Sequence, residues 1–398
     1  MLCSLAPSVP WLLLRSTAGG AEARRQDRVL VVLQLSGGND GLNSVVPFED
    51  DAYARLRPTL RLKPAELHKL NSQLGLHPRM GAFYRLFEQG QLAIVQGVGC
   101  PDQNRDHERA MLAWQTAVPE PDGVDTGWLG RATDHLWTAS RPAAAGVYVG
   151  SIPRPLGINA ATAVVPSIRG GREALLFGGG SIATGKVDKD DKPPFAADGE
   201  KSLLRHVNLA MAEGQRSKSR VEALSRAGST RASYPNFSLA KDLQTVASLI
   251  RAEVGIRIFY VELGGGGIGG FDNHANQMGN HCALLEQLSE SVAAFAADLS
   301  TDRLFDRVLL MTFSEFGRTA AENGRRGTDH GVAGPIFLAG GGLRGGIHGV
   351  NPSLTDLDAG ALKLQIDFRS VYATVLQDWL QIPSQPILGR EFPRLKLV

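Results

Sequence analysis

Residues 28–41, RVLVVLQLSGGNDG, join a short apolar, β-branched run to a glycine-rich turn that contains an acid. An apolar run of this length after a polar tail predicts a central strand of a parallel sheet. Ligands of α/β sheets bind where such strands end, so Asp40 is a candidate ligand. The alternative is a tight turn in which Asn39 and Asp40 only cap backbone amides.

Other apolar runs predict the remaining elements of the same sheet. The further predicted strands are residues 92–98, 256–263, 307–313 and 335–339. Helical periodicity marks residues 237–253 and, between the third and fourth strands, residues 284–299. Strands that alternate with helices imply βαβ units. We therefore predict an α/β fold with a mostly parallel central sheet and helices on both faces.

The domain limits follow from composition. We predict a single domain over residues 28–398, with an inserted loop and charged helical region at about 178–235 that breaks the rhythm of strands and helices. Residues 1–27 contain a short apolar run followed by small residues around Ala21 and Ala23. This pattern is typical of the back half of a secretory signal, so we expect an exported, periplasmic protein. A disordered tail is the alternative.

Net charge, apolar runs and cysteine spacing argue against nucleic-acid binding, a transmembrane helix and a zinc ribbon. The net charge of +2 over 398 residues is too small to indicate nucleic-acid binding by electrostatics. The sequence contains no apolar run of the roughly 18 residues that a transmembrane helix needs. The three cysteines lack the spacing of a zinc ribbon.

Two short clusters of acids and histidines follow predicted strands. They are GFDNH at 270–274 and SEFGR at 314–318, with TDHG at 328–331 just beyond the second. Strand ends in an α/β sheet converge on one edge, so these side chains are expected to lie near Asp40. Carboxylates and imidazoles gathered there could hold a divalent metal, with zinc the first expectation and manganese or calcium as alternatives. The sequence therefore points to a hydrolytic metal centre.

The first cluster contains Asp272 and His274, which are two residues apart and can face the same way in an extended segment. A surface pair would have the same spacing. In the second cluster, Glu315 follows a predicted strand, and Arg318 could bind an anion or form a structural ion pair with that carboxylate.

The pair Asp329 and His330 precedes the last predicted strand. A neutral histidine is a good zinc ligand, and an adjacent acid could orient it through a hydrogen bond. A capping aspartate and a solvent-facing histidine are the alternative.

Five blocks of the sequence resemble the DUF1501 family, an exported branch of the alkaline phosphatase/sulfatase-like superfamily. The blocks are LSGGNDGLN (35–43), NRDHERAMLAWQT (104–116), GFDNHANQ (270–277), FSEFGRT (313–319) and GTDHG (327–331). With DFRSVY at 367–372 and DWL at 378–380, the resemblance runs from about residue 28 to 390. It implies an alkaline-phosphatase-like fold, a twin-arginine export signal and the hydrolysis of a small anionic phosphate or sulfate ester.

The resemblance also implies metal ligands. Superfamily ligands lie on the acid after the first strand, on a later Asp/His segment, on an acid-plus-His pair and on a final His. The first of these places matches Asp40, and the second matches Asp272 and His274.

Two registers compete for the remaining ligands. In one, Glu315 and Phe316 occupy the third place and His330 is the final ligand. In the other, Asp329 and His330 are the pair and His348 is final. We favour the first, in which Phe316 replaces a histidine and leaves room for one fully ligated metal.

A second departure from the resembling family lies at the start of the helix after the second strand. Related sequences carry NRSH there, where the nucleophilic hydroxyl of the superfamily would sit, whereas this chain has Asp106. Asp106 could be a nucleophile, a metal ligand or a helix cap, and Arg105 and Arg318 are candidate anion clamps. The hypotheses are a metal-dependent hydrolase and a non-catalytic metal-binding or assembly protein of the same fold, which Asp106 and Phe316 favour.

Overall fold

A computed structural model describes residues 28–101, 104–140, 144–168, 174–175, 230–265 and 270–398. The predicted signal-like segment, residues 1–27, lies outside the described residues, as does most of the predicted insertion at about 178–235.

The strands of the described part of the chain form one large sheet and two small ones. They are β1 (Val29–Leu35), β2 (Val45–Val46), β3 (His68–Lys69), β4 (Gly75–Leu76), β5 (Leu92–Gly99), β6 (Gly146–Val149), β7 (Ser167–Ile168), β8 (Ala174–Leu175), β9 (Ile258–Leu263), β10 (Val308–Phe313), β11 (Gly334–Gly340), β12 (Gly346–His348), β13 (Leu357–Asp358), β14 (Ala361–Leu362) and β15 (Ile366–Asp367). Ten of them form the large sheet in the order β12-β5-β11-β10-β1-β9-β6-β7-β8, with β15 also paired to β5. The small sheets are β2-β4-β3 and β13-β14.

The large sheet is mostly parallel, which confirms the predicted fold class. β1 runs parallel to β9 and β10, β6 runs parallel to β7 and β9, and β5 runs parallel to β12 and β15. The predicted strand at 335–339 differs, because β11 is antiparallel to both β10 and β5. The chain leaves β10 at its carboxyl end and enters β11 at the same edge of the sheet, so β11 has to run in the opposite direction.

Helices pack on both faces of the large sheet and, in a third cluster, beside the small β2-β4-β3 sheet. They are α1 (Gly41–Ser44), α2 (Asp51–Leu56), α3 (Gly81–Glu88), α4 (His107–Thr116), α5 (Trp128–Ser140), α6 (Ser238–Arg251), α7 (Gln277–Thr301), α8 (Phe368–Thr374) and α9 (Gln385–Leu388), with 3₁₀ turns at Pro78–Met80, Leu156–Ile158 and Phe305–Arg307 and a π-helical stretch at Val375–Trp379. Among the described residues, no helix combines the length and the apolar character that crossing a bilayer requires.

The side chains of β1 alternate between two hydrophobic cores, one on each face of the large sheet. All seven residues of the strand are buried. Val29, Val31 and Leu33 pack with α3, α6 and α7, while Leu30 and Val32 pack with α4, α5 and α8 on the other face. A strand between two apolar layers has no polar face, which explains why its sequence is a continuous apolar run rather than an alternating one.

The turn after β1 is held at the carboxyl edge of the sheet by close backbone contacts. Gly37 and Gly38 both adopt positive φ, +111° and +78°. A Cβ on Gly37 would lie 2.4 Å from the backbone nitrogen of Asp272, and one on Gly38 would lie 2.3 Å from a ring carbon of Phe316. Glycine is needed here because the segments that carry the acids and histidines touch the turn directly.

Replacing Gly37 with alanine should therefore destabilise the fold more than replacing a glycine that has only an unusual φ. Gly90 provides the control, because its φ is +70° and a Cβ there would meet nothing within 4 Å. We expect Gly90→Ala to cost about 1–2 kcal/mol through left-handed strain, and Gly37→Ala to cost about 1–3 kcal/mol more through overpacking. Urea unfolding measures both, and equal losses would contradict the packing argument.

Candidate metal centre

Three histidines and an aspartate meet at the carboxyl edge of the sheet. Asp272 and His274 lie on the segment after β9, which the backbone N–H of Phe271 fastens to the carbonyl oxygen of Ser36 at 2.8 Å. His330 lies on the loop between β10 and β11. His107 is the first residue of α4.

The three imidazoles direct their Nε2 atoms towards one carboxylate. Oδ1 of Asp272 lies 3.0 Å from Nε2 of His274 and 3.3 Å from Nε2 of His330, and its Oδ2 lies 3.4 Å from Nε2 of His107. The Nε2 atoms of His274 and His330 are only 2.9 Å apart. Polar atoms of four residues, from three segments of the chain, therefore lie around the Asp272 carboxylate.

The Nδ1 atom of each imidazole faces an oxygen acceptor outside that volume. Nδ1 of His107 lies 2.9 Å from Oε1 of Glu315, and Nδ1 of His274 lies 3.1 Å from Oδ1 of Asp329. Nδ1 of His330 lies 2.7 Å from the carbonyl oxygen of Arg105. Carboxylates and carbonyls cannot donate, so this network assigns the proton of each neutral ring to Nδ1 and leaves the Nε2 lone pair towards Asp272.

This arrangement fits a divalent cation. Neutral imidazoles that meet through their lone pairs repel one another and the Asp272 carboxylate unless a positive charge lies between them. His107, Asp272 and His330 each offer a ligand atom within 4.8 Å of the others. Imidazole nitrogen suits zinc better than calcium or magnesium, which prefer oxygen, and an acceptor behind each ligating ring is usual in metal sites.

The ionisation of the centre is set by its neighbours. The hydrogen bond with Glu315 raises the pKa of His107, whereas burial lowers the pKa of His330. Burial alone would raise the pKa of Asp272, but the hydrogen bond and charge of Arg318 outweigh it and hold that pKa below its ordinary value. Asp272 is thus kept as an anion that faces the imidazoles.

Glu315 is placed behind His107 rather than among the converging atoms. Its carboxylate is buried, and Oε1 accepts the backbone N–H of Gly37 at 2.8 Å as well as the Nδ1 proton of His107. The predicted ligand Asp329 occupies the same kind of place behind His274. Both acids, which sequence reasoning placed in the ligand set, contact the Nδ1 atom of an imidazole rather than the converging Nε2 atoms.

Arg318, predicted as an anion clamp, is buried with its hydrogen bonds directed into the protein. The guanidinium donates to the carbonyl oxygens of Gly37, Gly38, Phe271 and Thr328. It also donates to Oδ1 of Asp272 at 2.7 Å. This places the side chain as the support of the first turn and of Asp272 rather than as a group that reaches a substrate.

Asp40, predicted as the first ligand, lies in a buried ion pair. Its Oδ2 accepts from Nη1 of Arg57 and from Nε2 of Gln277, each at 2.5 Å, while Oδ1 has no hydrogen-bond partner among the described residues. Burial alone would raise the pKa of Asp40, but Arg57 outweighs it and holds that pKa below its ordinary value. Asp40 is therefore paired with the Arg57 guanidinium, and its carboxylate does not belong to the group of atoms around Asp272.

The two residues before His107 have backbone roles. Asp106 caps α4, since one carboxylate oxygen accepts the backbone N–H groups of Glu108 and Arg109 at 3.1 Å each. Arg105 supplies the carbonyl behind His330, and its partly exposed guanidinium lies 3.4 Å from the carbonyl oxygen of Asp358. The sequence left open whether Asp106 is a nucleophile, a metal ligand or a helix cap, and these contacts are those of a helix cap.

His107 is the member of the centre that sequence reasoning missed. The signal was its place in the NRDH block at a predicted helix start, but nothing local shows that its ring meets Glu315, 208 positions away. His348, the alternative final ligand, lies on β12 with Nε2 at 2.9 Å from the carbonyl oxygen of Arg344, while His330 lies among the converging atoms.

Removing Arg57 should leave a buried carboxylate without its cation. We expect Arg57→Met to cost about 3–5 kcal/mol, because the uncompensated charge of Asp40 is strongly unfavourable. Arg61→Met, at an exposed position four residues on, should change stability by less than about 0.5 kcal/mol. Thermal or urea unfolding compares the two, and similar costs would contradict the ion-pair argument.

The same pair predicts a pH dependence. The folded pKa of Asp40 lies below its reference value of 3.8, so its stabilising contribution is present above that value and is lost as the pH falls through the folded pKa. Asp40→Asn should therefore flatten part of the acid limb of a stability–pH curve. An unchanged slope below pH ~4 would contradict the assignment.

Several solved structures are similar to the chain at low sequence identity. They include the PsFucS1 sulfatase from Pseudoalteromonas sp. (9% identity, TM-score 0.41, covering 98% of this chain and 75% of that chain) and a protein in the alkaline phosphatase superfamily from Vibrio parahaemolyticus (9%, 0.36, 91% and 69%). The C-terminal periplasmic domain of EcEptC from Escherichia coli in complex with zinc is also similar (9%, 0.37, 79% and 73%). At such scores the similarity is remote, so the chemistry of the site has to be argued from its own residues.

A comparison with curated proteins found no match. The family model described as a protein of unknown function, DUF1501, matches residues 27–388. That match spans most of the chain, including every residue of the centre, and the chain therefore belongs to the DUF1501 family.

Proposed function

We propose that this chain is a metal-dependent hydrolase of phosphate or sulfate esters, with the metal held by His107, Asp272, His274 and His330. The observation that supports this proposal is the convergence of three Nε2 lone pairs on the Asp272 carboxylate. Zinc is the metal that this donor set suits best. A metal bound there would supply Lewis-acid polarisation of an ester oxygen.

The residues around the ligands would prepare the site before substrate arrives. Glu315, Asp329 and the Arg105 carbonyl fix the tautomers and orientations of the three rings. Arg318 keeps Asp272 ionised and in place. Since the Arg318 guanidinium is committed to the protein, we assign the binding of the ester's anionic group to Arg105, a partly exposed residue whose backbone carbonyl contacts His330.

The attacking group in this proposal is a water molecule. Asp106 occupies the position where related sequences carry a serine, and its carboxylate is committed to two backbone N–H groups of α4. A carboxylate held in this way is a weaker nucleophile, because two N–H groups at the start of a helix stabilise its negative charge. Water then attacks the phosphorus or sulfur atom, and the alcohol leaves with a proton.

A second candidate is a non-catalytic metal-binding or assembly protein of the same fold. The observation that favours it is again Asp106, because α4 begins with a capping carboxylate where a hydroxyl nucleophile would be expected. In that case the centre would bind metal without turning over esters.

Export is a separate proposal. It rests on the signal-like composition of residues 1–27 and on the twin-arginine signals that the family resemblance implies, and it is independent of the metal centre.

The metal proposal predicts tight zinc binding that depends on the converging residues. Zinc added to the chelator-stripped chain should raise the melting temperature by mass action. His274→Ala and His330→Ala should each weaken zinc binding by about 100-fold or more, whereas His135→Ala, at an exposed position on α5, should leave it unchanged. Calorimetric titration measures the affinities, and equal binding by all four proteins would contradict the proposed ligand set.

The water proposal predicts that turnover survives the loss of Asp106. Asp106→Ala should lower stability by about 1 kcal/mol through the lost helix cap and keep zinc-dependent hydrolysis of aryl phosphates or sulfates. Asp106→Ser should restore the stability because serine is an equally good cap. Turnover abolished in Asp106→Ala and in Asp106→Ser would identify Asp106 as a catalytic group, and no turnover in the zinc-loaded native chain would support the second candidate.

A further inference from the structure

Phe316 contacts two of the proposed metal ligands through its ring. It stacks on His330, with ring centroids 4.4 Å apart and an interplanar angle of 30°, and it packs against His107 at 4.9 Å and 48°. The two imidazoles are themselves 4.4 Å apart in an edge-to-face arrangement. One aromatic ring therefore touches one face of the centre.

The position of Phe316 is fixed from behind by the first turn. The side chain is buried, and its ring lies so close to Gly38 that a Cβ on that glycine would come within 2.3 Å of it. The ring thus has backbone on one side and two imidazoles on the other. It has little freedom to move away from the rings that it contacts.

The side of the centre towards the first turn already carries a positive charge. The guanidinium of Arg57 is fully buried, and it donates to Asp40, to Oδ1 of Asn43 and to the carbonyl oxygens of Thr319 and Ala320. A divalent ion bound to the remaining oxygen of Asp40 would lie beside this guanidinium. Two positive charges close together in a buried region repel strongly, so a second metal ion bound by Asp40 is disfavoured.

The other acids near the centre are committed to protein donors. Glu315 holds Gly37 and His107, and Asp329 holds His274 together with the side-chain amide of Asn323 at 3.0 Å. Asp272 is the carboxylate that faces the three Nε2 atoms. Among the described residues, the donor atoms available at the centre therefore suffice for one ion.

From this geometry we infer that the centre holds a single metal ion and that Phe316 is the positioning residue that keeps His107 and His330 converged on it. The inference deepens the proposed function, because it rests on the same ligands. It does not depend on catalysis, since a non-catalytic metal-binding protein would use Phe316 in the same way. Phe316 touches the ligating rings rather than the ion, so it acts through their orientation.

The experiment compares Phe316→Leu with the control Phe337→Leu in the full chain, using zinc and cobalt(II) as probes. Phe337 is equally buried but lies on β11, where it packs against Phe83 at 5.5 Å. We expect the native chain and both variants to bind one ion per chain. Phe316→Leu should bind zinc about 10–100-fold more weakly, with an altered cobalt absorption spectrum, while Phe337→Leu should lose stability but keep the native affinity and spectrum.

Each other result has a distinct meaning. Two ions per native chain would overturn the single-ion inference and leave the proposed hydrolase standing. One ion with equal affinities and spectra in the two variants would overturn the role of Phe316. No metal binding by the native chain would overturn both the inference and the proposed function, whereas one tightly bound ion without ester turnover would overturn the hydrolase alone.

Discussion

The buried guanidinium of Arg318 is the interaction on which the geometry of the candidate centre depends. Its donors bind four backbone carbonyls from three separate segments and the carboxylate of Asp272. The planar fork of arginine suits this task, because several acceptors can be held in one plane without a change of rotamer. A lysine could supply the charge but could not bridge the same set of carbonyls.

A second buried arginine extends this framework to the far side of the first turn. Arg57 holds Asp40, whose Oδ2 also accepts from Gln277, and Gln277 in turn accepts the hydroxyl of Thr328 at 2.7 Å. Thr328 also presents its carbonyl to Arg318, so the two guanidinium groups act on one connected network. Breaking a buried ion pair on one side is strongly unfavourable, which makes such a network a rigid support.

The sequence predicted the architecture well where the pattern reflects burial. The apolar run of β1 and the helical periodicity of α7 define layers that any chain with this pattern has to bury, and the structure confirms the mostly parallel sheet between them. The direction of β11 was not predictable from its own residues, since it depends on the loop from Ser314 to Ala333 staying at one edge of the sheet.

The centre was predicted less completely for a physical reason. Asp272, His274 and His330 follow strands, so sequence position alone placed them at the correct edge. Hydrogen bonds between segments far apart in sequence, such as Glu315 with His107, decide which residues are candidate ligands and which residues orient them. Composition and spacing carry no information about which side of the Asp272 carboxylate faces Arg318 and which side faces the imidazoles.

The centre also differs from the rest of the polar network because some of its polar atoms face one another without an opposite charge between them. Around Arg318 and Arg57, buried charges meet opposite charges or carbonyl dipoles. Between His274 and His330, by contrast, two Nε2 atoms lie 2.9 Å apart beside an anion, and with both rings protonated at Nδ1 their lone pairs face each other. Folded proteins break the rule of satisfied polar groups mainly at functional sites, where a ligand completes the set. In the function proposed above, a cation would complete this set, and the surrounding arginines, fixed in their own ion pairs, hold the acceptors in position for it.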